Sequence, residues 1–201
     1  MTKQNEKSRC GWVTKDTLSL DYHDHEWGKP VWDDRMLFEF LILEGAQAGL
    51  NWITILKKRE HYRKVFLQFD PEKIAIFMDH DIERLMGDAG IIRNRLKIQS
   101  AIQNAHAYLR VLSQFNCFAD YIWQFVDGAP IKNHWMTLQE VPATTALSDR
   151  MSKDLKQRGF KFVGSTICYA YMQAVGMVND HLTTCFCYEE HLDPVPQGGI
   201  E

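Results

Sequence analysis

Residues 156–171, KQRGFKFVGSTICYAY, predict two helices that are joined by a short turn. Gly159 and Gly164 bracket the turn, and the second helix is expected to begin directly after Gly164. Backbone amides at a helix N-terminus point outward and bind anions, so this turn can hold a phosphodiester without a net positive charge. Two glycines at a helix junction also occur for packing reasons alone, and that alternative stays open.

Helical periodicity continues on the N-terminal side of this pair. Residues 33–50, DDRMLFEFLILEGAQAGL, can start at an aspartate cap and place one stripe of side chains at helical spacing. That stripe consists of Leu37, Leu41, Glu44 and Ala48. Asp70 is predicted to cap another helix, with Pro71 at the first helical position. Residues 94–112 predict a long amphipathic helix with an apolar stripe of Ile98, Ile102, Ala105, Leu109 and Leu112.

The C-terminal half follows the same pattern. Helices are predicted within residues 148–157 and 165–176, after an irregular connection over residues 134–149 that contains the helix breaker Pro142. No series of alternating strand segments accompanies them, so the fold is predicted to be mostly α. A length of 201 residues without a long linker predicts one domain.

Composition narrows the class of protein. Apolar residues make up 45% of the chain, and no apolar run reaches the ~20 residues of a membrane span. The polar N-terminus lacks a signal-peptide core, which predicts a cytoplasmic protein without a membrane partner. Five scattered cysteines favour free thiols or metal ligands over a disulfide framework. The net charge of -3 argues against nucleic acid as a partner unless cations cluster locally.

Two such basic clusters are present, although a solvated helix face is the commoner explanation for each. One surrounds the turn and contains Lys153, Lys156, Arg158 and Lys161. The other contains Arg93, Arg95 and Lys97.

The two ends of the chain carry residue types that bind metals. His181 and Cys185 stand four apart, which in a helix places an imidazole and a thiolate on one face. Cys10 and either His23 or His25 complete a Cys2His2 set of the kind that tetrahedral zinc prefers. Cys187 competes with Cys185, and helical geometry favours Cys185. Separate packing roles for these residues remain the alternative.

Glu44 is a carboxylate on an otherwise apolar helical stripe. Such a group is costly to bury unless a ligand or partner compensates it, so we expect either a pocket carboxylate or a residue near the helix end that escapes to solvent or caps a neighbour. Large aromatic rings are dense in the same quarter of the sequence, at Trp12, Tyr22, Trp27 and Trp52. A carboxylate beside several flat rings is typical of a site for a planar heterocycle.

These segments together resemble the DNA-3-methyladenine glycosylase I family of helix-hairpin-helix base-excision enzymes. The resemblance covers residues 9–188, leaving tails at 1–8 and 189–201, and rests on long motifs in matching order. They are RCGWV, YHDHEWG, LEGAQAGLNWITILKKRE, FDPEKIA, DAGIIRNRLKIQ and KQRGFKFVGSTICYAYMQAVGMVNDH.

The family resemblance implies a set of functional residues. It implies one structural zinc bound by Cys10, His23, His181 and Cys185. It also implies that Tyr22, Glu44 and Trp52 recognise a flipped base, with Glu44 as the catalytic carboxylate. Contacts with alkylated double-stranded DNA are implied for Gly49, Leu50, Lys161 and Gly164. Free 3-methyladenine is the implied product, and we expect a monomer.

Two positions depart from the family pattern. Ser19 stands where relatives can carry another aromatic wall of the pocket, and the turn reads Phe160-Lys161-Phe162-Val163-Gly164 in place of Leu-Pro-Gly-Val-Gly. Many related glycosylases have an aspartate after the hairpin, and Asp180 is the nearest candidate. Because Asp180 adjoins His181, we expect it to support the metal ligand instead.

Two other classes of protein are compatible with parts of this pattern. A non-catalytic, zinc-stapled protein that binds damaged DNA needs the turn and the cations but no buried Glu44. A zinc enzyme needs three protein ligands and an open position, whereas four ligands are available here.

Overall fold

The computed structural model describes residues 7–189, and most of this part of the chain is helical. The helices are α1 (Thr17–His25), α2 (Asp34–Gln47), α3 (Trp52–Leu56), α4 (Arg59–Val65), α5 (Pro71–Ala75), α6 (Asp79–Met86), α7 (Arg95–Leu112), α8 (Phe118–Trp123), α9 (Ala146–Gln157) and α10 (Ser165–Ala174). Short 3-10 turns lie at Leu67–Phe69, Gln124–Val126 and Phe186–Tyr188. Within residues 7–189, no helix combines the length and the apolar character that crossing a membrane requires. The prediction of a mostly α fold is confirmed. Residues 1–6 and 190–201, which make up most of the two expected tails, lie outside the described residues.

Local caps define the helix starts that the sequence predicted. The Asp33 carboxylate accepts the backbone N–H of Met36 at 2.8 Å and so caps α2. Asp70 caps α5 in the same way, with Pro71 in the first turn. A side-chain oxygen that accepts one of the unpaired N–H groups stabilises a helix by about 1 kcal/mol.

Helix α2 lies at the centre of the fold, packed against α3, α7, α8 and α10. Ten consecutive residues of α2, from 37 to 46, are buried. Asp34 at its start accepts the backbone N–H groups of Phe118 and Ala119 at 2.9 and 2.8 Å, which caps α8. A helix that is covered all round has no face toward water, and this position is what buries Glu44.

The buried face of α7 differs in part from the predicted stripe. Ile98 and Ala105 are buried as expected, but Ile102 and Leu109 are only half-buried and Leu112 is exposed. The face that meets the core also includes Ala101, Ala107, Tyr108 and Val111. Small alanine side chains let neighbouring helices approach closely, and for this reason they are buried. The large apolar side chains of the predicted stripe therefore did not mark the buried face by themselves.

The C-terminal half also contains a pair of strands that the sequence did not indicate. Strand β1 (Ile131–Lys132) pairs in parallel with β2 (Val178–Asn179), and Ile131 lies opposite Val178. Two-residue strands carry no alternating pattern that could be read beforehand. The connection before α9 is irregular as predicted, although α9 begins at Ala146, capped by Thr145.

Gly176 allows the N-terminal part of the chain to lie against the end of α10. Its φ is +70°, and a Cβ there would overlap the carbonyl carbon of Lys29 and the nitrogen of Pro30. Backbone bonds flank this approach, from Gly28 N to Gln173 O and from Val31 N to Val175 O, both 3.1 Å. Glycine is needed here for both its conformation and its size.

We expect Gly176→Ala to destabilise the protein by at least about 2 kcal/mol, because it adds positive-φ strain to a backbone clash. Gly87→Ala is the matched control, since the nearest backbone atom to its Cβ is 3.5 Å away and its φ is -78°. Urea unfolding of both variants measures the difference. Equal stability of the two variants would contradict the close approach at Gly176.

Candidate functional site

Four buried side chains from the two ends of the chain converge on one point. They are Cys10, His23, His181 and Cys185, whose candidate ligand atoms all lie within 4.8 Å of one another. Cys185 Sγ lies 3.5 Å from His23 Nε2 and 3.5 Å from His181 Nδ1, and Cys10 Sγ lies 3.6 Å from His181 Nδ1. Zinc–ligand bonds of about 2.3 Å to sulfur and about 2.0 Å to nitrogen separate the two atoms by about 3.5 Å in a tetrahedron. The donor set therefore fits a tetrahedral metal ion.

The geometry distinguishes between the alternatives that spacing left open. His25 is exposed and points away, 3.8 Å from Asp21, so His23 is the histidine of the cluster. Cys187 is buried nearby, with its thiol 3.9 Å from the carbonyl of His23, and it is not among the four.

The expectation that His181 and Cys185 share a helix face is wrong. Helix α10 ends at Ala174, and His181 lies two residues after the end of strand β2. A turn closed by the bond from Cys185 N to Leu182 O, 2.7 Å long, brings the two side chains to one side. The pairing with β1 extends the chain here, so convergence comes from a turn and not from helical spacing.

The second nitrogen of each imidazole is already engaged. His23 Nδ1 lies 2.8 Å from a carboxylate oxygen of Asp24, and His181 Nε2 lies 3.1 Å from the carbonyl of Trp27. Arg9 binds Asp24 through two bonds of 2.8 and 2.6 Å, and this pairing lowers the pKa of Asp24 to about 2. Such partners orient a metal-binding imidazole so that its other nitrogen can bind the ion. The sequence interpretation missed Asp24, although a carboxylate next to His23 was a usable signal.

A cavity of about 190 Å³ lies next to this cluster, between α1, α2, α3 and α10. It is lined by Trp12, Tyr22, Trp27, Glu44, Gln47, Trp52, Leu138, Val141, Ala170, Gln173 and Asp180. The three residues expected to recognise a base are therefore brought together. The rings of Tyr22 and Trp52 are tilted at 46° with centroids 5.3 Å apart, and Trp12 meets Trp27 edge-on at 5.0 Å.

Glu44 is the unpaired acid of this cavity. Only 4% of the residue is exposed, and its carboxylate accepts no hydrogen bond from residues 7–189. Burial raises the pKa of Glu44 to about 8, because the charged form is poorly solvated. Escape to solvent and capping are both excluded by this position, so Glu44 can meet a bound molecule that carries donors or positive charge.

Asp180 lines the cavity, and four donors that are not metal ligands surround its carboxylate. Its carboxylate accepts from Asn133 Nδ2, Trp135 Nε1, Tyr169 OH and Gln173 Nε2, at 2.7 to 2.8 Å. Asn133 and Trp135 belong to the irregular segment before α9, and their long-range contacts left no sequence signal. All the acceptor sites of Asp180 are thereby used within the protein.

Ser19 is not among the residues that line the cavity. The residue is buried, and its hydroxyl accepts the backbone N–H of Thr14 at 3.1 Å. The position that departs from the family pattern thus serves the N-terminal backbone here.

A tight turn between α2 and α3 exposes Leu50 beside the cavity residues Gln47 and Trp52. Gly49 has a φ of +78°, and Leu50 is 41% exposed. Lys97, which the sequence grouped with phosphate-binding cations, instead donates to the carbonyls of Ala46 and Ala48 at 2.8 and 2.7 Å. The lysine therefore holds the C-terminus of α2.

The predicted turn between α9 and α10 is present. Gly159 has a φ of +96°, Lys161 is exposed, and Gly164 precedes the first residue of α10 with open space around it. Asn104 on α7 binds both backbone groups of Lys161, at 2.7 and 3.1 Å, which fixes the turn against the core. In this arrangement the amides at the start of α10 face outward.

Cations near the turn differ in availability. Arg158 binds the Asp154 carboxylate at 2.6 Å, and in the other cluster Arg95 binds Glu83 at 2.8 Å. Lys153 and Lys156 are exposed. Part of each cluster is thus committed to protein partners.

Comparison with known proteins places these features in a family. The model of the methyladenine glycosylase family matches residues 12–188. DNA-3-methyladenine glycosylase 1 of Escherichia coli strain K12 is 56% identical over 180 residues, which is 90% of this chain and 96% of the relative.

Two solved structures extend the match to the fold. A crystal structure of 3-methyladenine DNA glycosylase I has a TM-score of 0.88 at 55% identity, over 90% of this chain and 99% of that one. The structure that describes 3-methyladenine recognition by the Staphylococcus aureus enzyme has a TM-score of 0.88 at 37% identity, over 91% and 97%. The chain belongs to the methyladenine glycosylase family.

Proposed function

We propose that this protein is a DNA base-excision glycosylase that releases 3-methyladenine from alkylated double-stranded DNA and leaves an abasic site. The observation that carries the proposal is Glu44, a buried carboxylate without a partner among residues 7–189, in a cavity walled by aromatic rings. The family relatives that carry this activity in their names support it. Action on cellular DNA agrees with the expected cytoplasmic location, which remains a prediction, as does the monomeric state.

Recognition of the base is the main task of this site. An adenine methylated at N3 carries positive charge and has a weakened glycosidic bond, so its release needs little acid catalysis. The positive charge of the base favours the ionised form of Glu44, which then accepts a hydrogen bond from the exocyclic amine, while Trp52 stacks on the ring and adds cation–π attraction. Tyr22 completes the wall with a neutral phenol, because burial raises its pKa well above the usual value.

Hydrolysis breaks the bond between the base nitrogen and C1′ of the sugar. The electron pair of that bond stays on the departing base and neutralises its charge, while water adds to C1′ and releases one proton to the solvent. Glu44 holds the base in place while the positive charge of the base is lost. It therefore assists departure without acting as a general acid, which the release of a neutral base would require.

Access to the base requires the nucleotide to leave the duplex. Flipping costs a few kcal/mol, and less for a damaged base. Leu50 on its exposed turn fills the gap in the stack, with Gly49 allowing close approach to the backbone. The α9–α10 turn acts as a helix-hairpin-helix motif, in which Gly164 and Lys161 bind phosphate. Its outward amides make this possible despite the net charge of -3.

The Cys2His2 cluster holds one structural zinc ion per chain. Two thiolates and two imidazoles form a closed set of four, which leaves no open position for a catalytic water. Bound zinc supplies a strong crosslink between Cys10 and His23 at one end and His181 and Cys185 at the other.

The direct test is incubation of the protein with methylated duplex DNA and chromatography of the released bases. We expect free 3-methyladenine from wild type. Glu44→Gln keeps the shape but loses a charge-assisted hydrogen bond of roughly 1.5–3 kcal/mol, so its affinity for free 3-methyladenine should fall about one to two decades. Binding of damaged DNA without release of any base would favour the non-catalytic alternative. Unchanged affinity in the variant would remove Glu44 from base recognition.

Glu44 should also make stability depend on pH. Its pKa rises from 4.5 to about 8 on folding, so the folded state binds the proton more tightly and loses stability as pH rises from about 5 to 8. Wild type should lose on the order of 2–4 kcal/mol relative to Glu44→Gln over this range. Urea unfolding of both proteins at pH 5, 6.5 and 8 measures the gap, and parallel curves would contradict a buried carboxylate.

Metal analysis tests the zinc assignment. Wild type should contain about one zinc per chain, and Cys10→Ser should contain far less and melt several degrees lower, because metal binding energy is also folding energy. Cys117→Ser is the control, since Cys117 is half-buried at the start of α8, outside the cluster. Less than about half an equivalent of zinc in wild type prepared without chelator would exclude the assignment.

A further inference from the structure

Gln173 is a polar residue of the cavity to which the proposed mechanism gives no role. It lies on α10, is half-buried, and lines the cavity together with Glu44 and Asp180. Its side-chain amide has a donor end and an acceptor end. The direction of this amide determines which groups on a bound base it can meet.

Asp180 determines that direction. Its carboxylate is buried, accepts from four donors and has none to offer in return. Gln173 must therefore turn its Nε2 toward Asp180, and the bond between them is 2.7 Å long. The carbonyl oxygen of Gln173 is then the end directed away from Asp180. That oxygen accepts no hydrogen bond from residues 7–189.

We propose that Gln173 is a specificity-determining residue, which presents its carbonyl oxygen to the flipped base and selects a 6-amino purine over a 6-oxo purine. This inference rests on the proposed function and deepens it. An exocyclic amine has two N–H groups, so Glu44 and Gln173 each accept one. A 6-oxo group offers only lone pairs, so it leaves the Gln173 oxygen without a donor, and the cavity disfavours it.

Asp180 acts as a positioning residue in this arrangement. Tyr169 and Gln173 share one of its oxygens, while Asn133 and Trp135 share the other. Since the last two precede α9, they also hold the segment that contributes Leu138 and Val141 to the cavity. Loss of the carboxylate would free the Gln173 amide to turn and present a donor.

The experiment compares two free bases, 3-methyladenine and 3-methylhypoxanthine, which differ at C6 and share the N3 methyl group. Tryptophan fluorescence gives the dissociation constant of each, and their ratio is the selectivity. Gln173→Met keeps the length of the side chain and removes its amide. We expect it to lower the selectivity for 3-methyladenine about tenfold, because 3-methyladenine binds more weakly. Asp180→Asn should lower this selectivity as well, because asparagine offers both a donor and an acceptor.

Tyr169→Phe is the matched control. It removes one hydrogen bond from the same oxygen of Asp180 and leaves Gln173 in place, so its ratio should stay within about twofold of wild type. The melting temperature of each variant is measured as well. A change in stability alone leaves the ratio of the two dissociation constants unchanged.

An unchanged ratio in Gln173→Met, in a protein that still releases 3-methyladenine from DNA, would overturn this inference and leave the proposed function intact. A ratio that narrows equally in Tyr169→Phe would also overturn it, since the loss of any bond to Asp180 would then suffice. If wild type neither binds these bases nor releases 3-methyladenine from DNA, both the role of Gln173 and the proposed function would be overturned.

Discussion

The enclosure of α2 constrains everything that faces the cavity. Ten consecutive residues of this helix are buried, so no side of it is left on which a polar side chain could reach water. Glu44 is buried by the position of its helix, and burial raises its pKa to about 8. Holding that carboxylate costs stability, which the surrounding core has to offset. If α2 had one solvated face, Glu44 could reach water. The stability cost of burying its carboxylate would then be absent, and so would the buried acid of the cavity.

The cavity and the Cys2His2 cluster share the same supporting elements. Tyr22 precedes His23 on α1, and Asp180 precedes His181 after β2. Fixing the two histidines therefore fixes two walls of the cavity. Gly176 contributes to the same end, since it lets the segment after α1 lie against the end of α10. The influence of the cluster on base binding is mechanical, through the placement of these neighbours.

Local signals were sufficient where one segment determines its own structure. Asp70 was identified as a cap from adjacent residues, an aspartate cap was expected at the start of residues 33–50, and the Gly159–Gly164 turn was predicted from its flanking helices. Contacts distant in sequence left no such trace. The β1–β2 pair joins two dipeptides 47 residues apart, and without it His181 was expected in a helix. Lys97 was grouped with neighbouring cations, because nothing in its own segment shows that the carbonyls of α2 lie within reach.

Two buried carboxylates line the same cavity, and their hydrogen bonds separate their roles. The Asp180 carboxylate accepts four hydrogen bonds from the protein, so it has no acceptor site left for a ligand. Glu44 accepts none from residues 7–189, and in the proposed function its partner is a cationic base. Because burial raises the pKa of Glu44 to about 8, the proposed function requires its proton to leave when a cationic base binds, and the attraction between the two charges drives that step. A neutral base provides no such attraction, which allows one pocket to favour the damaged base over the normal one.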